Sequence, residues 1–144
     1  MKKNAAKKKF QVPSDLNEVQ NASARALAAL KPLGLSTGEA FDIRLCLEEA
    51  LINAMKYGNH LKKELPVEVS VEYNDQSLLI TVEDRGSGFD PKKLKDCTQG
   101  DGLLRNAGRG VYLIHQLMDR VQYNDKGNRL SMTKLLRKEA KSKR

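Results

Sequence analysis

Glu49-Ala50-Leu51-Ile52-Asn53-Ala54 lies in a run whose apolar residues, Phe41, Ile43, Leu45, Leu47, Ala50, Leu51, Ala54 and Met55, cover a wide arc of a helix. At 3.6 residues per turn, positions four apart stand above one another, so the Glu49 carboxylate and the Asn53 carboxamide share one face. One can hold a metal while the other handles a proton. Two boxes follow. Asp84-Arg85-Gly86-Ser87-Gly88 ends an apolar strand, and Gly108-Arg109-Gly110 closes a glycine-rich stretch. The Asp offers an acceptor to the edge of a base, and the glycines let backbone approach a ligand closely. In this order and spacing the three boxes read as a split nucleotide site.

Outward from the central helix, Ser36-Thr37-Gly38-Glu39 is a capping box that opens it, and Gly58 with Asn59 ends it. Upstream, Phe10 and Val12 make a short strand stopped by Pro13. Ser14 or Asp15 then caps a helix carrying Leu16, Val19, Ala26, Leu27 and Leu30, and Lys31-Pro32-Leu33-Gly34 stops that helix. Downstream, Val67, Val69, Val71 and Tyr73 alternate at period two, turn at Asn74-Asp75-Gln76, and return as Leu78 to Val82. Residues 86–110 hold six glycines and read as a long loop, a functional lid or a disordered segment. Val111 to Met118 reads as a helix, and a second hairpin joins Val121–Tyr123 to Leu130–Leu136 across residues 124–128. This order predicts an α+β two-layer sandwich with helices on one face of a mixed sheet.

With 144 residues, 40% apolar, the chain suits one domain. The expected division is a basic tail at 1–9, a globular domain at 10–136 and a basic tail at 137–144. The net charge of +8 is concentrated at the ends: residues 1–9 and 134–144 contribute +5 each, leaving −2 for residues 10–133. Such termini are solvated, and the near-neutral body argues against direct sequence-specific nucleic-acid binding. No apolar run approaches membrane-spanning length and no signal-peptide pattern opens the chain, so no membrane association and a cytoplasmic location are expected. Cys46 and Cys97, with only His60 and His115 as imidazoles, make poor zinc or disulfide candidates. His115 reads as structural or exposed, Tyr57 and Tyr112 as core or lid-packing aromatics, and the lid leucines Leu103 and Leu104 as cover for nucleotide or partner or as simple packing.

On these boxes the chain resembles the ATP-binding domain shared by histidine kinases, Hsp90-type chaperones, MutL and type II topoisomerases. Within that superfamily it is most similar to bacterial anti-sigma factor serine kinases of the RsbW and SpoIIAB type. The resemblance spans residues 10–136 and implies ATP and Mg²⁺ as cofactors. It implies that Glu49 is the general base, that Asn53 coordinates Mg²⁺, and that Asp84 receives the adenine amino group. By the same likeness Gly86 and Gly88 shape the floor beneath the base, and Gly108, Arg109 and Gly110 line the phosphates at the start of the following helix. There is no Gly-x-x-x-x-Gly-Lys-Ser/Thr loop. Two departures stand out: Arg105-Asn106-Ala107 stands where these kinases often have an Arg and a small hydroxyl residue, and Gly127-Asn128 stands where the superfamily commonly has a Gly-Thr pair.

The implied function is to sequester a sigma factor and to phosphorylate a Ser or Thr of an anti-anti-sigma, STAS-type partner; a homodimer is compatible with the likeness. Two alternatives share the site. One is a non-catalytic, ATP-gated protein-binding module. The other is a histidine-kinase-related catalytic domain, suggested by Asn53-Ala54-Met55-Lys56-Tyr57 and opposed by the few residues preceding the first strand.

Overall fold

The computed structural model describes residues 5–86 and 105–136, and for residues 105–109 the backbone alone. Strand β1 (Ala6–Val12) leads into a 3-10 turn, helix α1 (Val19–Ala29), a second 3-10 turn and helix α2 (Thr37–Asn53). Strands β2 (Val67–Tyr73) and β3 (Ser77–Glu83) follow, then helix α3 (Arg105–Leu117) and strands β4 (Arg120–Tyr123) and β5 (Arg129–Leu135). The expected α+β architecture is observed.

The sheet runs β1-β2-β3-β5-β4, and every neighbouring pair is antiparallel, where a mixed sheet was expected. The register supplies the reason. Val12, the last residue of β1, pairs with Val67, the first of β2, so the two intervening helices return the chain to the end it left. β5 then inserts between β3 and β4, separating the two strands that run the same way.

Period-two patterning divides the sheet faces. Val67, Val69, Val71, Leu78, Ile80, Val82, Leu130 and Met132 are buried and join Ile43, Leu47, Leu51 and Met55 in one core. The opposite face carries Ser70, Thr81, Ser131 and charged neighbours. Helix α2 packs against both α1 and α3, which makes it the central helix of its layer.

Local chemistry sets most boundaries as read. Ser36 Oγ accepts from the Glu39 amide at 3.1 Å and Glu39 Oε1 from the Ser36 amide at 3.0 Å, a complete capping box. Gly34, at φ 62°, stops the preceding 3-10 turn in the left-handed region where a Cβ is costly. Asn74 Oδ1 closes the β2–β3 turn by accepting from the Gln76 and Ser77 amides, and Asn124 Oδ1 does the same for Gly127 and Asn128.

Three expectations need correction. β1 begins at Ala6 and draws Lys7, Lys8 and Lys9 into the sheet from the segment assigned to a tail; as an exposed edge, it carries lysines that discourage further strand pairing. Asp15, one of the two expected caps, does cap the first turn, but that turn is 3-10, with α1 proper starting at Val19. Ser14 is buried and donates to the Leu65 carbonyl at 2.6 Å. Helix α3 starts at Arg105, six residues earlier than the apolar pattern, because glycines masked a segment that packs on α2.

Candidate functional site

Helix α2 delivers Glu49 and Asn53 to one point. A Cβ built on Gly110 of α3 would lie 2.5 Å from Glu49 Oε1 and 3.3 Å from Asn53 Nδ2, so both side chains converge on the Gly110 backbone. Any larger residue there displaces the carboxylate. Glu49 and Asn53 are both half-buried, which leaves each accessible to a ligand.

Beyond Asn53 the chain does not simply stop its helix. It widens into a π turn over Ala54–Gly58, a feature that marks functional sites in helices. The turn closes with the Asn59 amide on the Ala54 carbonyl and the Leu61 amide on the Met55 carbonyl. His60 (φ 53°) and Leu61 (φ 58°) follow in the left-handed region, at a cost of about 1–2 kcal/mol each for residues with a Cβ. This detour lays Gly58 against the end of β3. A Cβ on Gly58 would overlap the Asp84 carboxylate, and one on Gly86 would overlap the Gly58 carbonyl. Gly58 therefore belongs to the site as well as to the helix end.

Asp84 is buried, at 7% exposure, and its Oδ1 accepts from the Gly86 amide at 2.8 Å. Burial pushes its carboxyl above the ordinary value of 3.8; the Gly86 amide opposes this, the Glu83 charge adds to it, and Lys126 and His60 lower it. It is the acceptor-rich buried group the sequence placed at a strand end.

Besides Gly58, sequence reasoning missed two residues around Asp84. Asn59, fully buried, accepts from the Arg85 amide, and Asn128 pairs with the Asp84 backbone. Each looked like an ordinary turn residue, and the departure from a Gly-Thr pair at Gly127-Asn128 was the one signal at the second. Gly108, Arg109 and Gly110 fall within the first turn and a half of α3 and not at its first residue. The orphan amides at the helix start therefore belong to residues 105–108. Gly88, Leu103 and Leu104 lie outside the described residues, as does the Arg109 side chain. Tyr57 and Tyr112 are exposed and not core, and His115 is exposed as expected.

The donor set suits a hard ion shared with phosphate. Among the described residues no group of three or more His, Cys, Asp or Glu side chains could hold a metal. Asn53 offers one carboxamide oxygen, which fits Mg²⁺, an ion that takes few protein ligands and completes its shell with phosphate and water. No helix among the described residues is long and apolar enough to cross a membrane.

Comparison with known proteins agrees with this fold. The family model for the histidine kinase-like ATPase domain matches residues 12–134. Serine-protein kinase RsbW of Staphylococcus aureus, from strains bovine RF122 / ET3-1 and MRSA252, is 27% identical over 138 residues, covering 90% of this chain and 87% of the relative. A chain of the crystal structure of the SiaB-SiaC complex from Pseudomonas aeruginosa superposes with a TM-score of 0.61, covering 90% of this chain and 88% of that one; at 14% identity it speaks to the fold alone. The RsbW-type resemblance carried by the three boxes is borne out, and the chain belongs to the histidine kinase-like ATPase domain family.

Proposed function

We propose that the protein is an ATP-dependent serine/threonine protein kinase of the anti-sigma type, which binds a sigma factor and phosphorylates an anti-anti-sigma, STAS-type partner. The observation that carries this reading is the convergence of Glu49 and Asn53 over Gly110, with Asp84 held in a glycine cradle at the other end of the π turn. Similarity to serine-protein kinase RsbW along most of both chains supports the choice of substrate.

In this reading Asp84 receives the adenine amino group, with Gly86 and Gly88 beneath the base. Gly108, Arg109 and Gly110 border the phosphates, where the amides that open α3 favour negative charge. Asn53 would hold Mg²⁺ through its carboxamide oxygen, and the ion would supply neutralisation of phosphate charge. Glu49 takes the proton from the attacking serine or threonine hydroxyl. The new bond joins that oxygen to the γ-phosphorus, the bond from the γ-phosphorus to the bridging oxygen breaks, and ADP leaves with the electron pair.

The domain limits follow as a proposal: a nucleotide-binding body that takes in β1 from Ala6 and runs to Leu136, with the basic ends outside it. A cytoplasmic location and a homodimer belong to the same reading. The direct test is capture of partners from native extract with and without Mg-ATP, with phosphosites read by mass spectrometry. A retained sigma factor and a small partner gaining phosphoserine or phosphothreonine are expected. Unrelated receptors and no new phosphosite would contradict the kinase reading and favour an ATP-gated binding module.

A further inference from the structure

Asp84 and the peptide after it are gripped from two sides by asparagines distant in sequence. On one side the Asp84 amide donates to the Asn128 carbonyl at 2.9 Å, and Asn128 Nδ2 donates to the Asp84 carbonyl at 3.0 Å. Both backbone groups of Asp84 are thus committed to one residue. Asn128 is itself held, its Oδ1 accepting from Asn124 Nδ2 at 2.8 Å. On the other side Asn59 Oδ1 accepts from the Arg85 amide at 2.8 Å. Its Nδ2 reaches the Leu65 and Pro66 carbonyls at 2.7 and 3.2 Å and Ser14 Oγ at 3.0 Å. Asn59 is 0% exposed, so this anchor is shielded from competing water.

We propose that Asn59 and Asn128 are positioning residues for base selection, clamping the Asp84–Arg85 peptide so that the Asp84 carboxylate points in one direction only. The inference deepens the reading above and rests on Asp84 receiving the adenine amino group. A hydrogen bond to that amino group requires about 2.7–3.2 Å between heavy atoms and good alignment. Guanine presents a carbonyl oxygen at the same place, which a carboxylate fixed there repels. A carboxylate free to swing accepts less well from adenine and evades the guanine carbonyl. Discrimination therefore depends on the clamp as well as on the charge.

The experiment measures dissociation constants for ATP and GTP by calorimetry, and thermal unfolding without nucleotide, for wild type, Asn128→Ala, Asn59→Ala, Ser14→Ala and Asp84→Asn. Asn128→Ala is expected to compress the GTP-to-ATP ratio by roughly three- to ten-fold, the scale of one lost hydrogen bond, chiefly by weakening ATP. Asn59→Ala should act in the same direction. Ser14→Ala removes a neighbouring contact of the same network without touching Asp84, so it should lower the unfolding temperature and leave the ratio unchanged. Because Asn128 is half-buried at a turn, its variant decides the question if Asn59→Ala does not fold. Collapse of the ratio in Asp84→Asn with wild-type ratios in both asparagine variants would overturn the clamp and leave the base assignment standing. An unchanged ratio in Asp84→Asn would overturn the base assignment and the clamp with it.

Discussion

Burial holds the Asp84 carboxyl above its ordinary 3.8, and so its ionised form weighs against the folded state. The sign follows from linkage: the stability tied to this group is complete below 3.8 and is lost as pH rises through the higher folded value. Above that folded value the ligand-free protein carries the cost of an ionised, buried carboxylate. Asp84→Asn, which retains an oxygen for the Gly86 amide, should unfold at pH 7 no lower in temperature than wild type while losing its preference for ATP over GTP. A clear drop in unfolding temperature with the preference intact would reverse this assignment of the cost. Cys46 gives a second test at this scale. Burial first, then the Asp42 and Glu49 charges against the pull of Lys134, push its thiol up to about 12. In a Cys97→Ser background, Cys46 should react with a thiol reagent at pH 8 about a thousand-fold more slowly in the native than in the unfolded protein, since the thiolate is the nucleophile. Comparable rates would place Cys46 in an open environment.

Helix α2 ties the two halves of the site together. Its capping box was legible in Ser36 and Glu39, and its face in the i, i+4 spacing of Glu49 and Asn53, because both signals are local. The π turn was not legible. Ala54-Met55-Lys56-Tyr57-Gly58 has ordinary helical composition, and the widening is imposed by Gly58 lodging against Asp84 and by the turn that seats Asn59. The start of α3 was hidden for a related reason: its glycines argue locally for loop, whereas packing against α2 requires a residue without a side chain at Gly110. Gly110→Ala separates these roles. Alanine improves intrinsic helix propensity by about 1 kcal/mol over glycine, but its Cβ enters the space of Glu49 Oε1. The variant should keep wild-type unfolding temperature or better and lose phosphate transfer by about ten-fold or more, as displacement of a positioned group costs. Full transfer activity would show that Glu49 tolerates displacement, against its role as base.

At the scale of the whole molecule, the end of the sheet where β1 stops, β2 starts and β3 stops is also where α2 passes into its π turn. Val12 pairs with Val67, and Glu68 with Glu83, so the strand ends and the asparagine clamp gather at one rim. The two-layer α+β body was readable because alternating valines in β2 and the apolar arc of α2 each name their buried face. Strand order was not, since the insertion of β5 between β3 and β4 depends on contacts far apart in sequence. Asn59 and Asn128 were invisible in the same way: their partners, Arg85 and Asp84, are chosen by the fold and not by neighbouring residues.

In the proposed reading Glu49 moves the proton while the rest of the site binds nucleotide. Single-turnover phosphate transfer from Mg-ATP to the captured partner, measured for wild type and Glu49→Gln beside their ATP affinities, addresses it most directly. Glu49→Gln should bind ATP with affinity within about two-fold of wild type and transfer phosphate about a hundred-fold more slowly or worse, the contribution typical of a general base. Transfer at the wild-type rate with equal affinity would contradict the account.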